Sequence, residues 1–153
     1  MTRYSYAGIL ILGVVIGGVL YAYKTEAPAL QRIDFGSVSL RVEAAATAEA
    51  QERGLGGRTS VPDGYGMLFP FQEDGLYGFW MKDMLVPIDI FWLDDKGQVV
   101  SMATWVATSS YPRVFYPTEP ARYVLETMAG FADEHGIATG TPLSLKNLST
   151  VLK

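Results

Sequence analysis

The chain has 153 residues, 49% of them apolar and 18% charged, with a net charge of −4 and no cysteine. That length holds one domain plus an appendage. Without cysteine there is no disulfide, thiol nucleophile or acylated cysteine anchor. With no basic cluster, nucleic acid and anionic headgroups are poor partners.

The apolar excess sits at the N-terminus. Ala7 to Tyr23 carries no charge and lies between Arg3 and Lys24. As a helix it would be about 25 Å long, a little short of a bilayer core, with Tyr4, Tyr6, Tyr21 and Tyr23 at the interfaces. The run predicts a membrane anchor through residues 7–23. The alternative is a signal peptide cleaved near Ala27-Pro28-Ala29. The flanking charges favour the N-terminus inside, so the domain is expected outside the cytoplasm, or secreted if the segment is cut. The expected organisation is an anchor or signal over 1–24, a tether and lead-in over 25–36, and an all-β domain over 37–153.

Ser37 to Glu43 alternates polar and apolar, which predicts a half-buried strand with one wet face. Thr47 is a helix cap for Ala48 to Arg53, and Gly54 can stop that helix. Leu55 to Pro62 is a glycine-rich loop carrying Arg58. Gly66 to Phe71 reads as a short buried strand and Gln72 to Gly75 as a turn. Leu76 to Met81 and Val86 to Leu93 read as strands. Asp94 to Gly97 turns the chain onto Gln98 to Val106. Ala107 to Ala121 is a long loop of the kind that often carries function. Arg122 to Met128 is a strand, Ala129 to His135 a helical turn, and Ile137 to Lys146 a last strand or hairpin. Many short strands with one or two short helices predict a mainly β sandwich or barrel.

The ordered blocks GLGGR (Gly54 to Arg58), GMLFPF (Gly66 to Phe71), FWMK (Phe79 to Lys82), PIDIFWLDDKG (Pro87 to Gly97), YVLE (Tyr123 to Glu126) and AGFADEHGIATG (Ala129 to Gly140) resemble the domain of unknown function 192 family. The resemblance spans roughly residues 37 to 146. It implies a compact, jelly-roll-like β domain, usually behind a signal or anchor, and no established activity. Two positions depart from the family pattern. Gly56 stands where a larger residue is usual, and Lys82-Asp83-Met84 stands where Lys-Asn-Thr is frequent. If that amide and hydroxyl bind something, this chain binds it differently at Asp83, or elsewhere.

Several residues could carry chemistry. Asp89 lies in a strand that is apolar on both faces, where a carboxylate must be paired, hydrogen-bonded or used. The favoured reading is structural, an ion pair with Lys82 or Arg58 or bonds to backbone N–H groups. Glu126 shares a face with Val124 and Met128, and is read as bonded to a loop. Lys82 either snorkels or presents an ammonium at a cleft mouth. Arg58 offers a fork to a carboxylate or phosphate, with Asp89 or Glu126 as its structural partner. Trp80 is expected inside the core, with stacking on a sugar or ring as the other reading. His135, the single histidine, is expected at the surface, and neither a metal nor a cofactor is expected. The reading as a whole is a non-enzymatic binding module for a small anionic, sugar-like or peptide-like cell-envelope ligand. Its site would include Arg58, Trp80, Lys82, Asp83, Asp89 and Glu126. One alternative is an assembly domain with a partner protein on the Ala107 to Ala121 loop. The other is a hydrolase or lyase with Asp89 and Glu126 as base and acid.

Overall fold

A computed structural model describes residues 30–146. The expected anchor and most of the tether lie outside the described residues. Among the described residues no helix is long and apolar enough to cross a membrane.

Strand β1 (Gln31–Phe35) turns at Gly36 into β2 (Val38–Ala44), its antiparallel partner. Gly36 has φ +58°, which a glycine adopts at no steric cost. The lead-in expected over 25–36 is thus partly a strand. Ile33 and Phe35 alternate inward and are buried, a signal too short to separate from a tether in the sequence. Helix α1 (Ala48–Arg53) then crosses to β3 (Tyr65–Gly75), which lies parallel to β2. Thr47 Oγ1 accepts from Ala50 N–H at 3.2 Å, and Gly54 ends the helix, as expected.

β3 runs through the expected turn at Gln72 to Gly75. It pairs β8 (Ala121–Met128) with a register shift between Pro70 and Gly75, and Asp74 there binds Arg122 at 2.7 Å. The strand expected over Leu76 to Met81 shrinks to β4 (Phe79–Trp80). Trp92 Nε1–H takes the carbonyl of Tyr77, and Gly78 packs so tightly under Tyr116 that a Cβ would lie 2.6 Å from the ring. β5 (Ile88–Leu93) pairs β6 (Val99–Val106) on one side and β8 on the other. The loop from Ala107 holds a single 3-10 turn and β7 (Val114–Phe115), which pairs β4. Helix α2 (Phe131–His135) follows β8.

The main sheet therefore runs β1-β2-β3-β8-β5-β6. No strand forms over Ile137 to Lys146. Instead that segment ties together the two ends of the sheet. Ser144 N–H donates to the Asp34 carbonyl in β1 at 2.7 Å, and Leu143 N–H to that of Gly97 beside β6 at 2.8 Å. Isolated bridges join Phe35 to Leu143 and Gln98 to Pro142. Covering both edges in this way satisfies backbone groups that would otherwise be open. The result is a mainly β, barrel-like fold with two short helices.

Two hydrophobic clusters lie on opposite faces of the sheet. Phe35, Leu40, Leu68, Phe91, Leu125 and Phe131 share one, and Leu55, Met67, Phe69, Ile90, Trp92 and Val124 the other. β5 feeds both, and all six of its residues are buried. Its unbroken apolar run reflects burial on two faces.

Candidate functional site

Glu126 sits in the middle of β8, opposite Met67 on β3 and Ile90 on β5. Cross-strand partners point to the same face, so its side chain enters the second cluster, beneath α1 and the loop after it. It is buried. The backbone N–H of Leu55 bonds to the carboxyl. Oε2 has no hydrogen-bond partner among the described residues. A Cβ on Gly54 would stand 3.6 Å from that oxygen, in ordinary van der Waals contact. Burial pushes the Glu126 carboxyl up to about 8, against the opposing pull of the Leu55 N–H and the Arg58 charge.

Glu126 lines a cavity of about 310 Å³. Phe69 and Phe71 on β3, and Tyr77, Phe79 and Trp80 around β4, supply aromatic walls. Gln51, Glu52 and Arg53 come from α1, and Lys82 and Met84 from the connection to β5. Phe79 stands edge-on to Phe69 with centroids 4.9 Å apart. The volume is at the lower end for a small-molecule site, and aromatic walls stand beside the charged side chains of Glu52, Arg53, Lys82 and Glu126.

The expected site residues separate. Trp80, Lys82 and Glu126 come together at this cavity. Trp80 is not a core residue, because it is 45% exposed and tilts against Tyr111; the core tryptophan is Trp92, at 1%. Lys82 is exposed, with Nζ 5.9 Å from the Trp80 ring centroid. Asp83 has φ +58°, is exposed, and accepts from Gly57 N–H through its carbonyl. It borders a more open depression with Glu49, Gly56 and Gly57 rather than the aromatic cavity. A Cβ on Gly56 would lie 2.8 Å from the Arg53 carbonyl, so in this chain the turn there is closed around glycine.

Arg58 pairs with neither Asp89 nor Glu126. Nη2 binds Glu43 Oε2 and Nη1 binds the Tyr65 hydroxyl, both at 2.8 Å, while Tyr65 also donates to Glu43. Glu43 belongs to the strand face that alternation marks as wet, yet it is buried. Burial and the Glu43 carboxylate push the Tyr65 hydroxyl well above its usual range. Arg58→Ala leaves this carboxylate without its cation. We expect a loss of about 1 to 3 kcal/mol in urea unfolding, with Arg58→Lys recovering only part because it lacks the fork.

Asp89 lies on the opposite face from Glu126. Its strand neighbour on β8 is Thr127, whereas that of Ile90 is Glu126. Oδ1 accepts from Trp105 N–H at 2.7 Å and Gly130 N–H at 3.2 Å, and Oδ2 from Ala132 N–H at 2.9 Å. Of the structural readings, the backbone-binding one holds and the ion pair with Lys82 or Arg58 does not. An acid–base pair of Asp89 and Glu126 is excluded, because the two carboxyls face opposite sides of the sheet. At the surface, ligand atoms of Asp63, Glu134 and His135 lie within 4.8 Å of one another, but Asp63 and Glu134 are exposed and nothing there marks an ion site.

Sequence reading missed Phe69, Phe71, Tyr77, Phe79 and Arg53 as lining residues. The GMLFPF and FWMK blocks hold three of them, and their aromatic density was the available signal.

No curated protein matches the chain. A crystal structure of a proposed transcription regulator from Sinorhizobium meliloti 1021 is similar, at 28% identity and a TM-score of 0.73. The alignment covers 78% of this chain and 96% of that one. A protein of unknown function from Novosphingobium aromaticivorans DSM 12444 shares the fold at a TM-score of 0.71 and 24% identity, over 80% of this chain and 89% of the other. The family described as DUF192, uncharacterized ACR, matches residues 31–145, almost the whole described region, and the chain belongs to it.

Proposed function

We propose that this protein is a non-enzymatic binding module that holds a small sugar-like or peptide-like ligand over Glu126, with residues 7–23 tethering it to the outer face of a membrane. The observation that carries the reading is the buried Oε2 of Glu126, which has no partner among the described residues and belongs to a residue that lines an aromatic cavity. A buried acceptor without a partner costs free energy, so it calls for an account. A ligand that donates to it supplies one. A purely anionic ligand suits this floor least, since it brings no donor to Oε2. The acidic net charge gives no support to carrying a regulator's role over from the structural relative.

Equilibrium dialysis of the full-length protein against low-molecular-weight cell-envelope fragments tests the reading. Saturable binding is expected, and Trp80→Ala should weaken it at least tenfold while the melting temperature holds. If no fragment binds saturably, or if Trp80→Ala binds as the wild type does, the reading fails. A second reading, an assembly domain, draws on Tyr111 and Tyr116, exposed by 47% and 63% on the expected functional loop. It predicts capture of a partner protein that is lost when both tyrosines become serine.

A further inference from the structure

We infer that the ligand is a zwitterion of amino-acid or short-peptide type, seated with its ammonium on Glu126 and its carboxylate between Lys82 and Arg53. This rests on the cavity over Glu126 being the binding site.

The floor sets the deep end of the ligand. Glu126 already accepts the Leu55 N–H, and Oε2 is left over. An ammonium brings three donors and a charge that matches the carboxylate. Phe79 and Trp80 line the same cavity, and aromatic rings attract cations. The protein's own Lys82 ammonium, 5.9 Å from the Trp80 centroid, shows that this ring can take one.

The rim sets the outer end. Arg53 and Lys82 line the same cavity and are exposed, so the cations stand on the solvent side of a buried carboxyl. Glu52 beside them tempers the field without supplying a donor. A sugar could satisfy Oε2 but would leave this charge order unused. A ligand positive at one end and negative at the other matches both ends at once. A volume of about 310 Å³ admits a single residue or a dipeptide.

Isothermal titration of the full-length protein with four probes tests the assignment: alanylalanine, its N-acetyl derivative, its C-terminal amide, and a neutral disaccharide. Alanylalanine should bind saturably. Acetylation, which removes the ammonium, should weaken it at least tenfold, and amidation a few-fold. Glu126→Gln should abolish the acetylation penalty, and Lys82→Met should reduce the amidation penalty. Proton release gives an independent readout. The charged groups near Glu126 are Arg58, whose charge acts on it, Glu52 and Arg53 on α1 and Lys82 on the connection to β5, with Tyr77 as the titratable ring. Pairing with an ammonium should ionise Glu126, so close to one proton, about 1 per dipeptide, leaves at pH 6.5, measured in buffers of different ionisation heat. Equal affinity for the acetylated and free dipeptide, or no proton release, overturns the assignment. If only the disaccharide or other envelope fragments bind, in a Trp80-dependent way, the zwitterion is wrong and the binding reading stands. If nothing binds, both fall.

Discussion

Asp89→Ala is expected to cost at least about 4 kcal/mol of stability, close to the whole margin of a small domain. The carboxylate is fully buried and serves three backbone N–H groups on two separate elements. One belongs to Trp105, where the β5–β6 register shifts opposite Asp89 and the backbone adopts φ +53°. The other two belong to Gly130 and Ala132, at the start of α2. The Trp105 ring then lies so close over Gly130 that a Cβ would meet it at 2.6 Å, and its Nε1–H donates to Asp133. Removing the carboxylate strands three backbone donors, that of Ala132 buried and the other two partly buried, and unlocks the bulge from the helix. Asp89→Asn keeps one acceptor oxygen and should cost less, about 1 to 3 kcal/mol. Lys82→Met should leave stability within about 0.5 kcal/mol, because Lys82 is exposed. Urea unfolding of the three variants checks the order. An Asp89→Ala protein that unfolds at the wild-type midpoint would contradict this account.

Glu126→Gln should act in the opposite sense and depend on pH. The folded carboxyl titrates near 8, against an ordinary value of 4.5. Between those values the folded state keeps a proton that the unfolded state has given up. Wild-type stability therefore falls as pH rises through that window, by up to about 1.4 kcal/mol per unit, and levels off above it. Glutamine has no proton to lose and can still accept from Leu55. The two proteins should be equally stable near pH 4.5, and the variant more stable by about 3 to 5 kcal/mol at pH 9. Urea midpoints at the two pH values decide it. An identical difference at both would mean that Glu126 ionises freely and that the cavity floor is not as dry as the geometry indicates. Residues held for function often cost stability in this way.

The contrast between the two carboxylates shows what a sequence of this kind reveals. Asp89 was legible as a structural group because it stands in a strand apolar on both faces. Its partners were not, since backbone N–H groups leave no trace in side-chain pattern. Glu126 looked equivalent, a carboxylate in a strand read as bonded to a loop. Only the register of β8 against β5 puts the two on opposite faces. The hairpin at Asp94 to Gly97, the Thr47 cap and the Gly54 stop were legible because local chemistry sets them. β1 was not, because Ile33 and Phe35 are too short an alternation to tell from a tether, and the edge-tying segment over 140–144 was not, because it depends on contacts far apart in the chain. Trp80 and Trp92 could not be ranked from composition, since each lies among large apolar residues; the β4–β7 pairing leaves the first at the surface, and β5 buries the second.

The tryptophans also give the most direct test, because the three indole N–H groups report on three places. Trp80 lines the cavity, Trp92 is bonded to Tyr77, and Trp105 is bonded to Asp133 on the Asp89 side. In a titration of the ¹⁵N-labelled full-length protein with small cell-envelope fragments, the Trp80 indole signal should move saturably and the Trp105 signal should stay. A Trp105 signal that moves while Trp80 does not would put the working site on the wrong face of the sheet for this account.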